Sequence, residues 1–425
     1  MQIIGYTRMF MIDLLRGTNV LSKLSILNRE QYKSFEELEK IAADKQSKLF
    51  SLAKRAVPFY RNITITNNFP VLTKDVIRSH FGDLIPQNYK GKLIPKATGG
   101  STGLPLRYFT TPEAQSFMWA GIIHSWKMVG YALGDKVAFV AGTAIAKKDY
   151  KHEIFYRLMN VDVYSAYELN EDSISQYLSS LKAKKVKVIY GYPTAINQLA
   201  LHLLQKSNFD FPDLKGIVVT SEVLMETHRR NIEEAFGVVV RNQYGCNEAG
   251  LSAFECEFGN LHLINTASRI EIDEHGNVMS TNLVNKGFVF INYFTGDQFN
   301  FSPVNKCSCR RGYPIINEVK GRSVDLIIDT QNKQIHPAFF SILFRNSRDV
   351  EQFQIQYDDR NIDIYLKLTE PIGNKDFGSM LNCVKEHMAF DKYRIITNSP
   401  FLTSQNAKHR YVIDNRKNKN HENLV

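Results

Sequence analysis

No apolar run in the 425-residue chain is long enough to span a bilayer. The apolar stretch near the N-terminus is interrupted by Arg8 and Asp13 and has no small-residue cleavage site. We therefore expect no signal peptide and a cytoplasmic location. The same stretch suits an amphipathic helix, which we expect to pack on the protein itself, with peripheral membrane contact as the alternative.

The chain contains only five cysteines, and an odd number without a signal peptide argues against a disulfide framework. It also contains no internal repeat and no low-complexity segment. A net charge of +10 is compatible with nucleic acid, anionic lipid or an anionic substrate as a partner. No nucleic-acid-binding motif accompanies this charge, so we do not expect nucleic acid to bind. Solvated surface lysines account for most of it.

Helical and strand-like patterns alternate through the first part of the chain, which predicts an α/β domain with a parallel sheet. Ligands of such sheets bind at the carboxyl ends of the strands, where Tyr190 and Thr220 fall. The predicted elements are helices over 30–60, 112–130 and 227–236, and strands over 136–141, 186–190 and 214–220.

From about residue 260 the pattern becomes that of β structure, with strands predicted over 262–264, 269–273 and 287–292. After Arg322 the pattern indicates a small α+β unit with a hairpin around 358–360 and a helix over about 374–388. We therefore predict a large domain of mixed and parallel sheets with a β-rich subdomain (1–321), and a small, mobile α+β domain (322–425).

A glycine- and hydroxyl-rich loop follows the apolar pair Leu93-Ile94. Glycines allow tight turns in which successive N–H groups face a phosphate, and the hydroxyls add donors. The loop lacks the Gly-Lys-Ser/Thr ending of a P-loop. A flexible turn between strands is the alternative that composition alone leaves open. The loop residues are Thr98, Gly99, Gly100, Ser101, Thr102 and Gly103.

Further segments follow this loop in a characteristic order, at 244–250, 293–297, 320–325 and 405–410. The segments at 69–74, 190–194 and 219–222 complete the series. The order resembles the adenylate-forming superfamily. Within it, the chain is most similar to the phenylacetate–CoA ligase branch, which includes relatives from capsule-polysaccharide gene clusters. The resemblance extends from about residue 55 to about residue 413.

The resemblance implies roles for individual residues. The glycine-rich loop would hold the β- and γ-phosphates of ATP, Glu248 would ligate Mg²⁺, and Lys408 would reach the α-phosphate and the substrate carboxylate. Tyr244 and Gly245 would lie against the adenine, and the two oxygens of Asp297 would accept the ribose hydroxyls. Ser221, Glu222 and Arg322 complete the expected nucleotide site.

The chain departs from the family pattern at three positions, which carry Leu104, Val324 and Ala407 where relatives commonly have Lys, a hinge Asp and Gly. Adenylation stays the expected reaction. The transfer step is the one in question, because it requires the small domain to rotate about the hinge.

Cys307-Ser308-Cys309 forms a C-x-C pair, and Cys256 lies six residues before His262. Three thiolates and one imidazole are a closed tetrahedral zinc set, which would make the zinc structural. Relatives in the same branch carry a similar set. Reduced thiols packed as small apolar groups are the alternative.

The expected activity is ATP-dependent formation of an acyl-AMP, followed by transfer to CoA or another thiol. One alternative acceptor is an amine or hydroxyl in surface-polysaccharide assembly, and another interpretation is an inactive nucleotide-binding relative. The identity of the carboxylic acid stays open. So does the oligomeric state, with a homodimer as one possibility.

Overall fold

The protein is described here from a computed structural model. The described residues are 2–61, 69–97, 106–141, 150–166, 169, 171–206, 210–302, 307–322, 327–332, 334–335, 340, 343, 350–368, 377–397, 399–402 and 412–416. The predicted phosphate loop at 98–103, Val324 and Lys408 lie outside these residues.

Side-chain hydrogen bonds from capping residues mark the start of some of the helices in the described chain. Thr111 caps α6 with Pro112 in its first turn, and Ser34 and Glu37 form a capping box on α3. The helices are α1 (Gln2–Arg16), α2 (Val20–Glu30), α3 (Phe35–Ala56), α4 (Pro58–Arg61), α5 (Lys74–Ser79), α6 (Pro112–Lys127), α7 (Tyr150–Leu158), α8 (Glu171–Ala183), α9 (Pro193–Gln205), α10 (Glu226–Phe236) and α11 (Gly378–His387).

The strands of the described residues form one large sheet, two hairpin pairs and one small sheet. They are β1 (Ile94–Ala97), β2 (Arg107–Thr110), β3 (Val137–Ala141), β4 (Val161–Ser165), β5 (Val188–Gly191), β6 (Gly216–Thr220), β7 (Val240–Cys246), β8 (Leu251–Glu255), β9 (Leu261–Leu263), β10 (Ser268–Ile272), β11 (Asn277–Asn282), β12 (Tyr293–Ser302), β13 (Ile315–Arg322), β14 (Ile327–Ile328), β15 (Gln334–Ile335), β16 (Val350–Tyr357), β17 (Asn361–Leu368), β18 (Lys392–Thr397) and β19 (Val412–Asp414).

The large sheet has eleven strands in the order β10-β11-β12-β13-β9-β8-β7-β6-β5-β3-β4. Strands β3 to β7 pair in parallel, as the alternation of helices and strands predicts. Strands β8 to β13 pair antiparallel and form the β-rich part. The mixed α/β fold predicted from the sequence is therefore confirmed.

The small sheet has the order β18-β17-β16-β19 and packs with α11 around its own apolar core. The hairpin of β16 and β17 and the helix after it are as predicted. Met225, which directly precedes α10, is buried in the same core as Phe353 and Ile364. The core of the small sheet thus includes a residue from the segment between β6 and α10.

The strand predicted over 287–292 is wrong, because this apolar segment has no regular structure and the strand begins at Tyr293. Phe288, Val289 and Phe290 are fully buried, and the Val289 N–H donates to the Leu84 carbonyl. A short apolar run marks burial but does not determine whether the buried backbone pairs as a strand.

Helix α1 carries apolar side chains both on the face toward the protein and on the face toward solvent. Met9 and Ile12 are buried on the face toward the protein, so the expected packing on the protein itself is found. The Asp13 carboxylate accepts from the Val20 N–H at 2.8 Å and so holds the start of α2. The opposite face exposes large apolar side chains, among them Ile3, Phe10 and Leu14. Within the described residues, no helix has the length and apolar character that crossing a bilayer requires.

Candidate nucleotide and metal sites

The carboxyl ends of the parallel strands β5, β6 and β7, which are central in the large sheet, lie side by side. Ser221 directly follows β6 and has a φ of 72°, a left-handed conformation that reverses the chain at the strand end. This arrangement therefore brings the 220–222 segment next to the 244–248 segment, as their positions after neighbouring strands predict.

Tyr244 and Asp297 are in direct contact. The Tyr244 hydroxyl donates to Asp297 Oδ2 at 2.6 Å, and its ring packs edge-on against Phe299 at 5.1 Å. Burial raises the pKa of Tyr244 well above its ordinary value, and the Asp297 carboxylate raises it further. The phenol therefore stays protonated and acts as a donor. A carboxylate has about four acceptor positions, so this hydrogen bond is compatible with the acceptance of ribose hydroxyls by Asp297.

Asp297 lies on β12 directly opposite Arg322, the last residue of β13. The Asp297 N–H donates to the Thr295 hydroxyl at 3.1 Å, within β12 where its pairing with β11 shifts register. Gly296 has a φ of 79°, a conformation that glycine adopts without strain. The structure thus places two of the predicted nucleotide-site residues on the same rung of the sheet.

Glu248 lies in the turn that follows β7 and is half-buried. Its carbonyl accepts from Asn282 Nδ2 at 3.1 Å, which anchors the turn to β11. Burial raises the pKa of Tyr108 on β2, and the nearby Glu248 carboxylate and Cys246 thiol raise it further. Strand β2 is therefore close to Glu248 and Cys246. The described chain resumes at Leu106, one residue before β2 begins.

Glu222 has a structural contact that its sequence does not indicate. One of its carboxylate oxygens accepts from the Thr194 N–H at 3.3 Å and from the Thr194 hydroxyl at 2.7 Å. Thr194 is in the first turn of α9, where a carboxylate satisfies N–H groups that the helix leaves open. Glu222 therefore holds the start of α9, and its predicted part in nucleotide binding stays a prediction.

The four predicted zinc ligands, Cys256, His262, Cys307 and Cys309, come together. Their ligand atoms all lie within 4.8 Å of one another. Cys256 Sγ is 3.6 Å from Cys307 Sγ, and Cys309 Sγ is 3.3 Å from His262 Nε2. The tetrad, as we call these four residues, thus has the size and donor set of a tetrahedral metal centre.

The surroundings of the tetrad orient its ligands. His262 Nδ1 lies 3.0 Å from the Tyr313 carbonyl, to which it donates, so Nε2 faces the thiols as an acceptor. Cys307 Sγ accepts from Asn260 Nδ2 at 3.2 Å. Burial raises the pKa of Cys256 to about 12, which opposes the thiolate when no cation is present. A divalent cation would reverse that preference, because coordination deprotonates thiols.

The loop that carries Cys307 and Cys309 is attached to the corner between α2 and α3. Arg311 Nε donates to Gln31 Oε1 at 2.8 Å, and the Gly312 N–H donates to the Gln31 carbonyl at 2.8 Å. Gly312 allows this approach, because a Cβ there would overlap the Lys33 carbonyl. The tetrad therefore positions a part of the chain that lies more than 270 residues earlier.

The fold matches that of adenylate-forming acyl-CoA ligases of known structure, so the fold that the sequence resemblance implies is confirmed. Over 93% of both chains it matches 2-hydroxyisobutyryl-CoA ligase in a postadenylation state, with a TM-score of 0.71 and 16% identity. It also matches the amide bond synthetase McbA of Marinactinospora thermotolerans, with a TM-score of 0.51 and 14% identity over 78% of this chain and 69% of that one.

Among curated proteins, the chain is similar to protein CapK of Staphylococcus aureus. The two are 26% identical over 379 residues, which cover 84% of this chain and 82% of CapK. No family model matches the chain.

Tyr244→Phe removes the donor to Asp297 while keeping the ring against Phe299. We expect the free energy of unfolding to fall by about 1–2 kcal/mol, since the lost hydrogen bond has a charged acceptor. Urea denaturation measures this change. Tyr32→Phe, at a largely exposed ring, is the control and should be neutral. Equal stability of the two variants would show that the Tyr244–Asp297 contact is not formed.

Proposed function

We propose that the protein uses ATP to activate a carboxylic acid as acyl-AMP and then transfers the acyl group to CoA or another thiol. The proposal rests on the convergence of Tyr244, Glu248 and Asp297 in one region of a fold shared with adenylate-forming ligases. Electrostatic proximity supports the grouping, because Asp297 and Glu248 both raise the pKa of Tyr244.

Adenylation requires a carboxylate to attack the α-phosphorus of ATP although both reactants are anions. The site must therefore neutralise charge and align the reactants. Glu248 would hold Mg²⁺, whose positive charge stabilises the phosphates when it is bound. Tyr244 and Asp297 would hold the nucleoside, and the glycine-rich loop at 98–103 would hold the phosphates. Lys408 would contribute the cation that contacts the α-phosphate.

The predicted domain division would suit a two-step cycle. In this proposal the large domain (1–321) binds the nucleotide and the acid, and the small domain (322–425) brings Lys408 for the first step. When the small domain then rotates away and removes Lys408, the site opens to the acceptor. The contact of Met225 with the core of the small sheet is one that such a movement has to break or slide past.

A second candidate acceptor is an amine or hydroxyl in surface-polysaccharide assembly. The resemblance to relatives from capsule-polysaccharide gene clusters suggests it, and the similarity to protein CapK is compatible with it. The match to an amide bond synthetase supports an amine acceptor on the same fold. An inactive nucleotide-binding relative is a third interpretation, which Glu248, Asp297 and Lys408 together argue against.

Pyrophosphate release, measured with ATP, Mg²⁺ and a library of carboxylic acids, tests the proposed function. An active enzyme releases pyrophosphate only with acids that fit, whereas an inactive relative releases none with any acid. Adding CoA and looking for a thioester then distinguishes a thiol acceptor from an amine or hydroxyl. A cytoplasmic location stays a prediction, as does the absence of bound nucleic acid.

We also propose that the tetrad binds one structural Zn²⁺. The three sulfur atoms and the Nε2 atom provide four ligands, which leaves no position for a substrate. The His262–Tyr313 hydrogen bond supplies the outer contact that metal-bound imidazoles commonly make. The metal would take no part in adenylation and would hold the loop before β13 in place.

Freshly purified protein should contain about one zinc per chain by elemental analysis. Cys307→Ser and Cys309→Ser should lower the zinc content and the melting temperature together, because metal binding contributes to folding. Cys383→Ser, on α11 and outside the tetrad, should leave both unchanged. Metal-free protein whose melting temperature does not respond to a chelator would rule out the zinc site.

Glu248→Gln should slow acyl-AMP formation by roughly hundredfold or more, because the Mg²⁺ ligand loses its charge. The pyrophosphate assay measures the rate, and the melting temperature should stay near that of the parent protein. Glu274→Gln, in the exposed turn between β10 and β11, is the matched control. Near-parental pyrophosphate release by Glu248→Gln would remove Glu248 from the site.

Lys408→Ala should slow acyl-AMP formation by roughly hundredfold or more, the scale of a charge-assisted contact made mainly in the transition state. Transfer from supplied acyl-AMP to the acceptor should be much less affected. Single-turnover assays of the two steps measure this, with Lys385→Ala on the exposed surface of α11 as the control. Equal impairment of both steps, or of neither, would contradict the role of Lys408.

A further inference from the structure

An open cavity of about 650 Å³ lies where α2, α3 and α6 meet the segment after β11. Its size is within the range of small-molecule sites. The lining is unusually rich in charge, with three carboxylates and five cationic side chains, namely Lys23, Arg29, Lys33, Lys45 and Lys286. This composition differs from a mainly apolar acyl pocket and indicates a ligand with its own charge.

The carboxylates of the cavity are already engaged. Glu113 pairs with Lys23 at 3.0 Å, and Glu37 pairs with Lys33 at 3.1 Å. The third, Glu30, accepts from the Thr266 hydroxyl at 2.7 Å.

Three of the five cationic side chains, by contrast, are not paired with a described carboxylate. In the part of the chain that the structure describes, Lys45, Arg29 and Lys286 form no ion pair within 4.0 Å. Glu30 also has no ion pair among these described residues, so five cations against three carboxylates leave the described lining of the cavity with a net charge of +2.

Lys45 is the cation for which this excess is most costly. It is half-buried, and its Nζ donates to the Thr266 carbonyl at 2.7 Å and lies 5.1 Å from the centre of the Phe117 ring. Burial lowers the pKa of Lys45. Lys23 and Lys286 lower it further, and Glu30 and Glu113 act in the opposite direction. An anion among these ammonium groups would remove the cost of placing like charges together.

The cavity is next to the candidate active site. A smaller enclosed gap, lined by Gly245 and Asn247 from the segment after Tyr244, shares Phe117 and Val284 with the larger cavity. Both shared side chains belong to the apolar core beside α6. These two side chains form the wall between the spaces, and the gap itself has a volume of only about 30 Å³. An acid that reached from the Tyr244–Glu248 segment into the charged cavity would therefore have to displace the Phe117 ring.

We propose that this cavity binds a second acidic group, a carboxylate or a phosphate, at the far end of the acyl substrate. The acid that the enzyme activates is then a dianion. The inference rests on the proposed function and adds the substrate class. Every residue that lines the cavity lies between Lys23 and Lys286, within the large domain. The phosphates of CoA are the other source of such an anion, and the experiment below distinguishes the two.

The test compares α,ω-dicarboxylates from butanedioate to octanedioate with the monocarboxylates of equal length in the pyrophosphate assay. The protein should prefer the best dicarboxylate by at least about tenfold in kcat/KM. Lys45→Met keeps the apolar stem and removes the charge, and it should lower that preference by about tenfold or more, mainly through KM. Lys48→Met, exposed on the same helix, should keep the preference of the parent protein.

Calorimetric titration with the same dicarboxylates, without ATP, separates this inference from the proposed function. If no acid supports pyrophosphate release, but a dicarboxylate binds the parent protein and binds Lys45→Met much more weakly, the cavity is supported and the proposed activity fails. If the parent protein does not discriminate dicarboxylates from monocarboxylates in either measurement, the cavity proposal is overturned.

CoA provides the remaining comparison. Weaker CoA binding by Lys45→Met, with dicarboxylate binding unchanged, would also overturn the proposal, because the cavity would then serve the acceptor. Melting temperatures establish that the variants are folded. Should Lys45→Met unfold, Lys286→Met provides the same test from a different segment of the chain.

Discussion

The joining of two distant segments by the Cys/His tetrad is the constraint on which the rest of the site depends. Cys256 and His262 flank the turn between β8 and β9, and Cys307 and Cys309 precede β13. Strand β13 ends at Arg322, opposite Asp297, so the tetrad lies before the start of a strand whose end belongs to the candidate nucleotide site. Its loop also holds the α2–α3 corner through Gln31, and that corner borders the charged cavity.

The chemistry proposed for this protein is dominated by the cost of bringing anions together. ATP and a carboxylate repel, and a dianionic acid would add a further charge. The basic character of the chain, with a net charge of +10, lowers that cost at long range. Lys45, Lys286 and Arg29 would lower it locally at the far end of the acid, while Mg²⁺ at Glu248 and the Lys408 ammonium would do so at the α-phosphate.

Local patterns predicted the parallel half of the sheet, because a helix between two strands provides the crossover connection that parallel pairing requires. The spacing of Cys307 and Cys309, together with the family resemblance, also predicted the tetrad. The strand over 287–292 was predicted wrongly, since burial without pairing produces the same apolar run. The contact of Glu222 with Thr194 and the cavity between Lys45 and Lys286 were not predictable, because long-range packing creates them and no motif marks them.

The central claim is that the acid is activated by forming a bond between its own oxygen and the α-phosphorus of ATP. An accepted acid labelled with ¹⁸O on both carboxylate oxygens tests this claim most directly. One labelled oxygen stays on phosphorus when the acyl group is transferred. The account therefore predicts AMP that carries one ¹⁸O atom per turnover, detected by mass spectrometry. Unlabelled AMP, or label found in inorganic phosphate, would contradict it.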